Sequence, residues 1–200
     1  MRKSMRVLAI ILVVMCMCLS AALAADKEIA TSSSVTIVDM VTKGGPVAEF
    51  TTTELRELVE SGAVPGVVAK NVIVYGEHAG DRGVWDFTGI RLVDLVKYAT
   101  GYEAVKGNRL YGQRKGLYLA CYATDGYSGV VSWSELEFTP TGVQAMIAYN
   151  WEMVMPPNAG DIPDWTGELI LIVPTDTFTG AREIQALKTI ELRHVGPPSF

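Results

Sequence analysis

Leu117-Tyr118-Leu119-Ala120-Cys121-Tyr122-Ala123-Thr124-Asp125-Gly126-Tyr127-Ser128-Gly129-Val130-Val131 is the stretch whose reading decides the fold. An apolar and aromatic run of strand length meets Asp125-Gly126, and Val130-Val131 opens a second apolar run. Asp-Gly in that setting is a turn signal with a physical cause. Glycine takes the positive φ that a tight turn needs, and aspartate hydrogen-bonds its own backbone. The stretch therefore predicts strand, turn and partner strand.

Working upstream, Val35 to Val41 reads as a first strand, because Val35 and Ile37 alternate with polar neighbours before Val38 and Met40. Lys43-Gly44-Gly45-Pro46 is a turn by composition. Thr51-Thr52-Thr53-Glu54 opens a helix with a threonine cap and an acidic first turn. Leu55, Leu58 and Val59 form its apolar stripe, and Gly62 ends it. Val67 to Tyr75 is β-rich. Gly76 to Gly83 reads as a polar loop holding Glu77, His78, Asp81 and Arg82. Trp85 to Ile90 reads as loop leading into a second helix, Leu92 to Thr100, with Leu92, Leu95 and Val96 on one face. Downstream, Trp133 to Leu136 reads as a short helical turn. Ala145–Tyr149 and Leu169–Val173 are apolar runs of strand length, and residues 184–194 make a closing strand. Trp151 to Gly167 reads as one long loop, a length that often carries function. Strands outnumber helices and the connections are irregular. The expectation is an α+β fold in which Leu117–Ala123, Ala145–Tyr149 and Leu169–Val173 share one mixed sheet.

The first residues have a different character. Arg2, Lys3 and Arg6 precede an apolar run from Val7 to Leu19, and Ala22-Leu23-Ala24 supplies a small-x-small cleavage pattern. This is the order of a secretory signal peptide over residues 1–24, with residues 25–200 as one exported domain, periplasmic or extracellular. The apolar run is short for a bilayer span, which needs about 20 residues, so no stable membrane anchor is expected after cleavage. Neither Cys16 nor Cys18 follows a lipobox. The leader holds three basic residues and no acidic one, so its removal takes the net charge from −5 to −8. A domain of that charge repels phosphate backbones, and no nucleic-acid partner is expected. Cys121 is the single cysteine outside the leader. Packing, without an intramolecular disulfide, must hold the core, and a thiol in an apolar strand is expected to be buried and inert.

Side-chain chemistry is sparse. His78 and His194 lie far apart, and no pair of residues has zinc-ligand spacing. His78 beside Glu77 and Asp81 reads as a solvated loop, and so do Asp161 and Asp164 beside Trp165. There is no Gly-x-Ser-x-Gly elbow and no phosphate-binding glycine loop. Tyr75, Trp85, Tyr118, Tyr127, Trp133, Trp151 and Trp165 fall at strand ends or in loops, where aromatic faces can line a pocket.

Four segments carry a family resemblance. They are Trp85-Asp86-Phe87-Thr88-Gly89-Ile90-Arg91-Leu92-Val93-Asp94-Leu95; Thr124-Asp125-Gly126-Tyr127-Ser128 with Trp133-Ser134-Glu135-Leu136; Met146-Ile147-Ala148-Tyr149-Asn150; and Leu169–Pro174 with Gly180-Ala181-Arg182-Glu183-Ile184. Their order resembles the oxidoreductase molybdopterin-binding domain, the fold of sulfite oxidase and of periplasmic methionine-sulfoxide reductase catalytic subunits. The resemblance implies that fold and a molybdopterin cofactor. In the family a cysteine after the strand preceding the "W-x-G" segment ligates molybdenum. Here that place reads Val74-Tyr75-Gly76-Glu77-His78, without cysteine, and Ile184-Gln185-Ala186 replaces a cofactor-facing "V-K-W". Arg182 matches; Gly89 and Asp125-Gly126 match as structural positions. Arg82 and Arg114-Lys115 are further basic residues that could supply charge. The matching loops imply a cleft lined by Tyr75, His78, Arg82, Tyr127 and Arg182, suited to a small anionic or polar ligand. Two readings follow. One is a ligand-binding or protein-interaction module that has lost the metal ligand. The other is an extracytoplasmic redox enzyme holding molybdopterin with atypical metal ligation.

Overall fold

Alternation builds the first hairpin. A computed structural model describes residues 31–76, 80–102, 116–158, 167–176 and 179–196. Strand β1 (Ser34–Asp39) turns Val35 and Ile37 inward and pairs antiparallel with β2 (Gly45–Thr51). The buried Asp39 carboxylate closes the turn by accepting from the Val41 and Thr42 N–H groups at 2.9 and 2.8 Å. Thr51 then caps helix α1 (Thr52–Glu60). Its hydroxyl accepts from the Glu54 N–H at 3.2 Å, and the Glu54 carboxylate accepts from the Thr51 N–H at 2.7 Å. This reciprocal box satisfies two donors that a helix start otherwise leaves open.

Two long strands follow. β3 (Gly66–Gly76) and β4 (Gly80–Arg91) form an antiparallel hairpin. Helix α2 (Leu92–Thr100) buries Leu92, Val93, Leu95 and Val96, and Gly101 ends it at φ 68°. β5 (Leu117–Ala123), β6 (Ser128–Ser132), α3 (Trp133–Phe138), β7 (Met146–Met155), β8 (Ile170–Ile172) and β9 (Leu187–His194) follow in order among the described residues. Short 3-10 turns lie at Gly142–Gln144 and Thr179–Ala181.

The described strands make two sheets. One has the order β2-β1-β9-β5-β6 and is mixed, because β1 and β9 run parallel; the other has the order β3-β4-β7-β8 and is antiparallel throughout. The expectation of one mixed sheet is thus corrected: Leu117–Ala123 lies in the first, and Ala145–Tyr149 and Leu169–Val173 supply β7 and β8 of the second. The reason is pairing at long range. β5 sits against β9, which no local signal announces. A single buried cluster nevertheless joins Ile37, Leu119 and Ile190 of one sheet to Ile90, Ile147 and Leu171 of the other. Met146, Ala148 and Ile172 point the opposite way, into a second cluster with Val72, Val74, Trp85 and Phe87. β7 and β8 are therefore buried on both faces where they pair, which is why their sequences are apolar without alternation.

Other boundaries also move. Trp85 to Arg91 is strand, with Trp85 and Phe87 buried, so the chain passes from strand to helix. Gly80 to Gly83 already belongs to β4. Trp151 to Met155 extends β7, so the presumed loop begins later. The closing strand starts at Leu187, and Ile184 makes one bridge to Leu171. Gly89 is required by contact rather than by positive φ: a Cβ there would sit 2.1 Å from the Ile147 carbonyl oxygen. Gly126, at φ 92°, does take the predicted turn conformation. The expected signal peptide over residues 1–24, Glu77, Arg114-Lys115, Asp161, Asp164 and Trp165 lie outside the described residues. No described helix is long and apolar enough to cross a membrane.

Candidate functional site

The Thr179–Ala181 turn is the point at which the expected site residues meet. The Tyr75 N–H at the end of β3 donates to the Thr179 hydroxyl at 3.0 Å. The Tyr127 hydroxyl, from the turn between β5 and β6, donates to the Gly180 carbonyl at 3.2 Å. The Arg182 N–H donates to the Thr179 carbonyl at 3.0 Å. Only glycine fits at 180, since a Cβ would lie 2.6 Å from the Gly76 Cα. Tyr75, Tyr127 and Arg182 are thus brought together, and Arg82 joins them through Glu183. His78 lies outside the described residues. Tyr75 and Tyr127 keep much of their surface in solvent, at 39% and 46%. Of the aromatics at strand ends and in loops, Trp85 and Trp133 are core and line no pocket. Trp133 is fully buried, its ring 5.1 Å from Tyr102 and edge-on.

The two arginines have carboxylate partners within the chain. Arg182 grips Asp176 through two nitrogens, Nε to Oδ2 at 2.7 Å and a terminal nitrogen to Oδ1, and reaches Glu135 Oε1 with the other terminal nitrogen at 2.7 Å. These bonds hold the guanidinium charged and push its pKa further up, the Asp176 bonds most. Arg82 donates to Glu183 Oε1 at 2.9 Å, and the Gln185 amide donates to the same oxygen at 3.0 Å. The other Glu183 oxygen is buried without a hydrogen-bond partner. Desolvation accordingly pushes the Glu183 carboxyl above its ordinary value, against the pull of Gln185 and Arg82.

An anionic pterin phosphate with a thiolate-bound metal does not fit this donor set. Among the described residues the free thiol is Cys121, wholly buried in β5, and burial pushes its pKa up to about 12. Arg82 and Arg182 are neutralised by protein carboxylates before any ligand arrives.

No family model matches the chain, and no curated protein does.

Among the described residues no three His, Cys, Asp or Glu side chains are grouped to hold a metal ion. The residues that organise the site, Glu135, Thr179, Asp176 and Glu183, were not singled out from sequence for binding. Glu135 and Arg182 both fall in resembling segments, but nothing in their spacing pairs them, because α3 and the Thr179–Ala181 turn approach only in three dimensions.

Proposed function

We propose that this chain is a non-catalytic ligand-binding or protein-interaction module, exported by its leader and built on a reduced sulfite-oxidase-type molybdopterin fold. The observation that carries this reading is the state of the two arginines. In a cofactor site their charge would face a phosphate or an anionic metal centre. Here Asp176, Glu135 and Glu183 already take it up. The buried Cys121 thiol supports the same reading, because a cysteine ligates metal only as its thiolate. What stays presented to solvent at the Thr179–Ala181 turn is Tyr75 and Tyr127, whose rings offer an apolar body with a polar tip. A polar small molecule or a protein surface suits that edge better than a multiply charged anion.

The test is purification of the exported protein from a host that makes molybdopterin, followed by elemental analysis and pterin fluorescence. Neither molybdenum nor tungsten is expected, and no pterin emission. Stoichiometric metal with pterin would overturn the reading in favour of a redox enzyme with atypical ligation.

A further inference from the structure

A sheet ends in edge strands, whose outward N–H and C=O groups pair with any strand that reaches them unless something blocks them. Among the described residues, three of the four edges are blocked. β2 carries Glu49 and also Pro46, which has no N–H, and it bulges against β1. β3 carries Lys70, shifts register twice against β4, and gives the Tyr75 N–H to Thr179. β8 is three residues long and buried throughout, and Ile184 takes up both the Leu171 N–H and the Leu171 carbonyl at 3.0 Å.

β6 is the exception. Ser128-Gly129-Val130-Val131-Ser132 holds no charge and no proline, and it pairs with β5 without a register shift. The Ala123 N–H donates to the Tyr127 carbonyl at 2.8 Å. Antiparallel bonding alternates along the strands, so Cys121–Gly129 and Leu119–Val131 are the next hydrogen-bonded pairs. Ser128, Val130 and Ser132 therefore turn their N–H and C=O groups away from β5. All three are exposed, Val130 at 56%.

We propose that β6 is a dimer edge, pairing antiparallel with β6 of a second copy across a two-fold axis at Val130. The strand's own symmetry selects that occupant. Read in either direction, the outward residues are Ser, Val, Ser. A two-fold axis therefore sets Ser128 against Ser132 and Val130 against its counterpart, and every outward N–H meets a C=O. The exposed Val130 side chain is covered by its equal, and no like charges oppose each other across the edge. A strand this short buries less than the roughly 1,000 Å² of a durable interface, so the dimer is weak and forms with rising concentration. The proposal goes beyond the reading given for the Thr179–Ala181 turn and holds whether or not a cofactor is bound there.

The test is sedimentation equilibrium of the full exported chain from micromolar to millimolar concentration, with amide hydrogen exchange read by NMR. A monomer–dimer equilibrium is expected, and the Val130 N–H should gain at least tenfold protection in the concentrated sample. Val130→Lys sets two ammonium groups side by side on the axis and should weaken the dimer at least tenfold. The side chain is exposed, so the melting temperature of the dilute protein should not move. Val130→Cys should cross-link under diamide, because hydrogen-bonded antiparallel partners lie about 5.5 Å apart between Cα atoms, within disulfide reach. Val68→Cys, on the blocked edge β3 and 59% exposed, should cross-link at least tenfold more slowly. A chain that stays monomeric at millimolar concentration would overturn the proposal. So would a dimer that Val130→Lys leaves intact, or cross-linking of Val68→Cys as fast as of Val130→Cys. Protection of the β6 amides only by an added peptide would make a foreign strand the occupant and overturn it too.

Discussion

Replacing Arg182 by alanine separates a structural arginine from a ligand-binding one. The substitution strands Asp176 and Glu135, whose side chains are 16% and 25% exposed, while Arg182 itself is 24% exposed. Breaking a fully buried pair costs about 3–5 kcal/mol, and an exposed pair contributes about 0–1 kcal/mol. A three-way contact of intermediate burial, with one bidentate arm, places Arg182→Ala at a loss of about 2–3 kcal/mol. For a chain of this size that lowers the melting temperature by about 4–12 °C, at about 2–4 °C per kcal/mol. The assay is equilibrium urea denaturation followed by circular dichroism, with thermal melts alongside. Glu135→Ala should cost less, since it leaves the Asp176 arm in place. The double variant should show a coupling within the range of about 0.5–3 kcal/mol found for residues in direct contact. A loss below about 0.5 kcal/mol for Arg182→Ala, the level of an ordinary surface change, would refute the reasoning. If such a variant also lost binding of a small anion, Arg182 would be a ligand residue after all.

Gly89→Ala drives a Cβ into the Ile147 carbonyl, where only backbone can give way between β4 and β7; urea denaturation should show a loss of about 3 kcal/mol, and a neutral result would refute the close packing of these strands. Cys121 should react slowly with a thiol reagent in native protein and at the rate of an ordinary thiol once unfolded, because burial keeps its thiolate scarce; fast native labelling would refute this. Burial raises the Glu183 carboxyl above its ordinary 4.5, so folding favours the protonated form. That contribution is full below the ordinary value and is lost as pH rises through the raised one. The stability of Glu183→Gln relative to the parent should therefore climb as pH rises above that ordinary value, and a difference that stays flat with pH would refute the assignment.

What the residues encode locally was legible without coordinates. Helix α1 begins at the Thr51 cap because Thr51 and Glu54 can satisfy each other's backbone donors within one turn of chain. Helix α2 spans Leu92–Thr100 as its apolar spacing requires, and Asp125-Gly126 turns β5 into β6 at a positive φ. Cys121 was readable as core because its neighbours are apolar on both sides. Each of these depends on residues within a few positions of one another.

What depends on partners far along the chain was not legible. Whether β5 and β7 share a sheet is decided by β9 and β4, and an apolar run does not say which strand it will meet. Trp133 reads the same whether its ring lies in solvent or edge-on to Tyr102. Gly89 looks like any turn glycine until Ile147 is brought against it. Arg182 shows the limit most clearly: the sequence by itself set a positive charge beside the Thr179–Ala181 turn, but only the tertiary structure brought Asp176 and Glu135 within hydrogen-bond reach. The physical reason is that charge and local propensity are carried by single residues and their neighbours, whereas neutralisation and burial arise from distances that the chain sets only by folding.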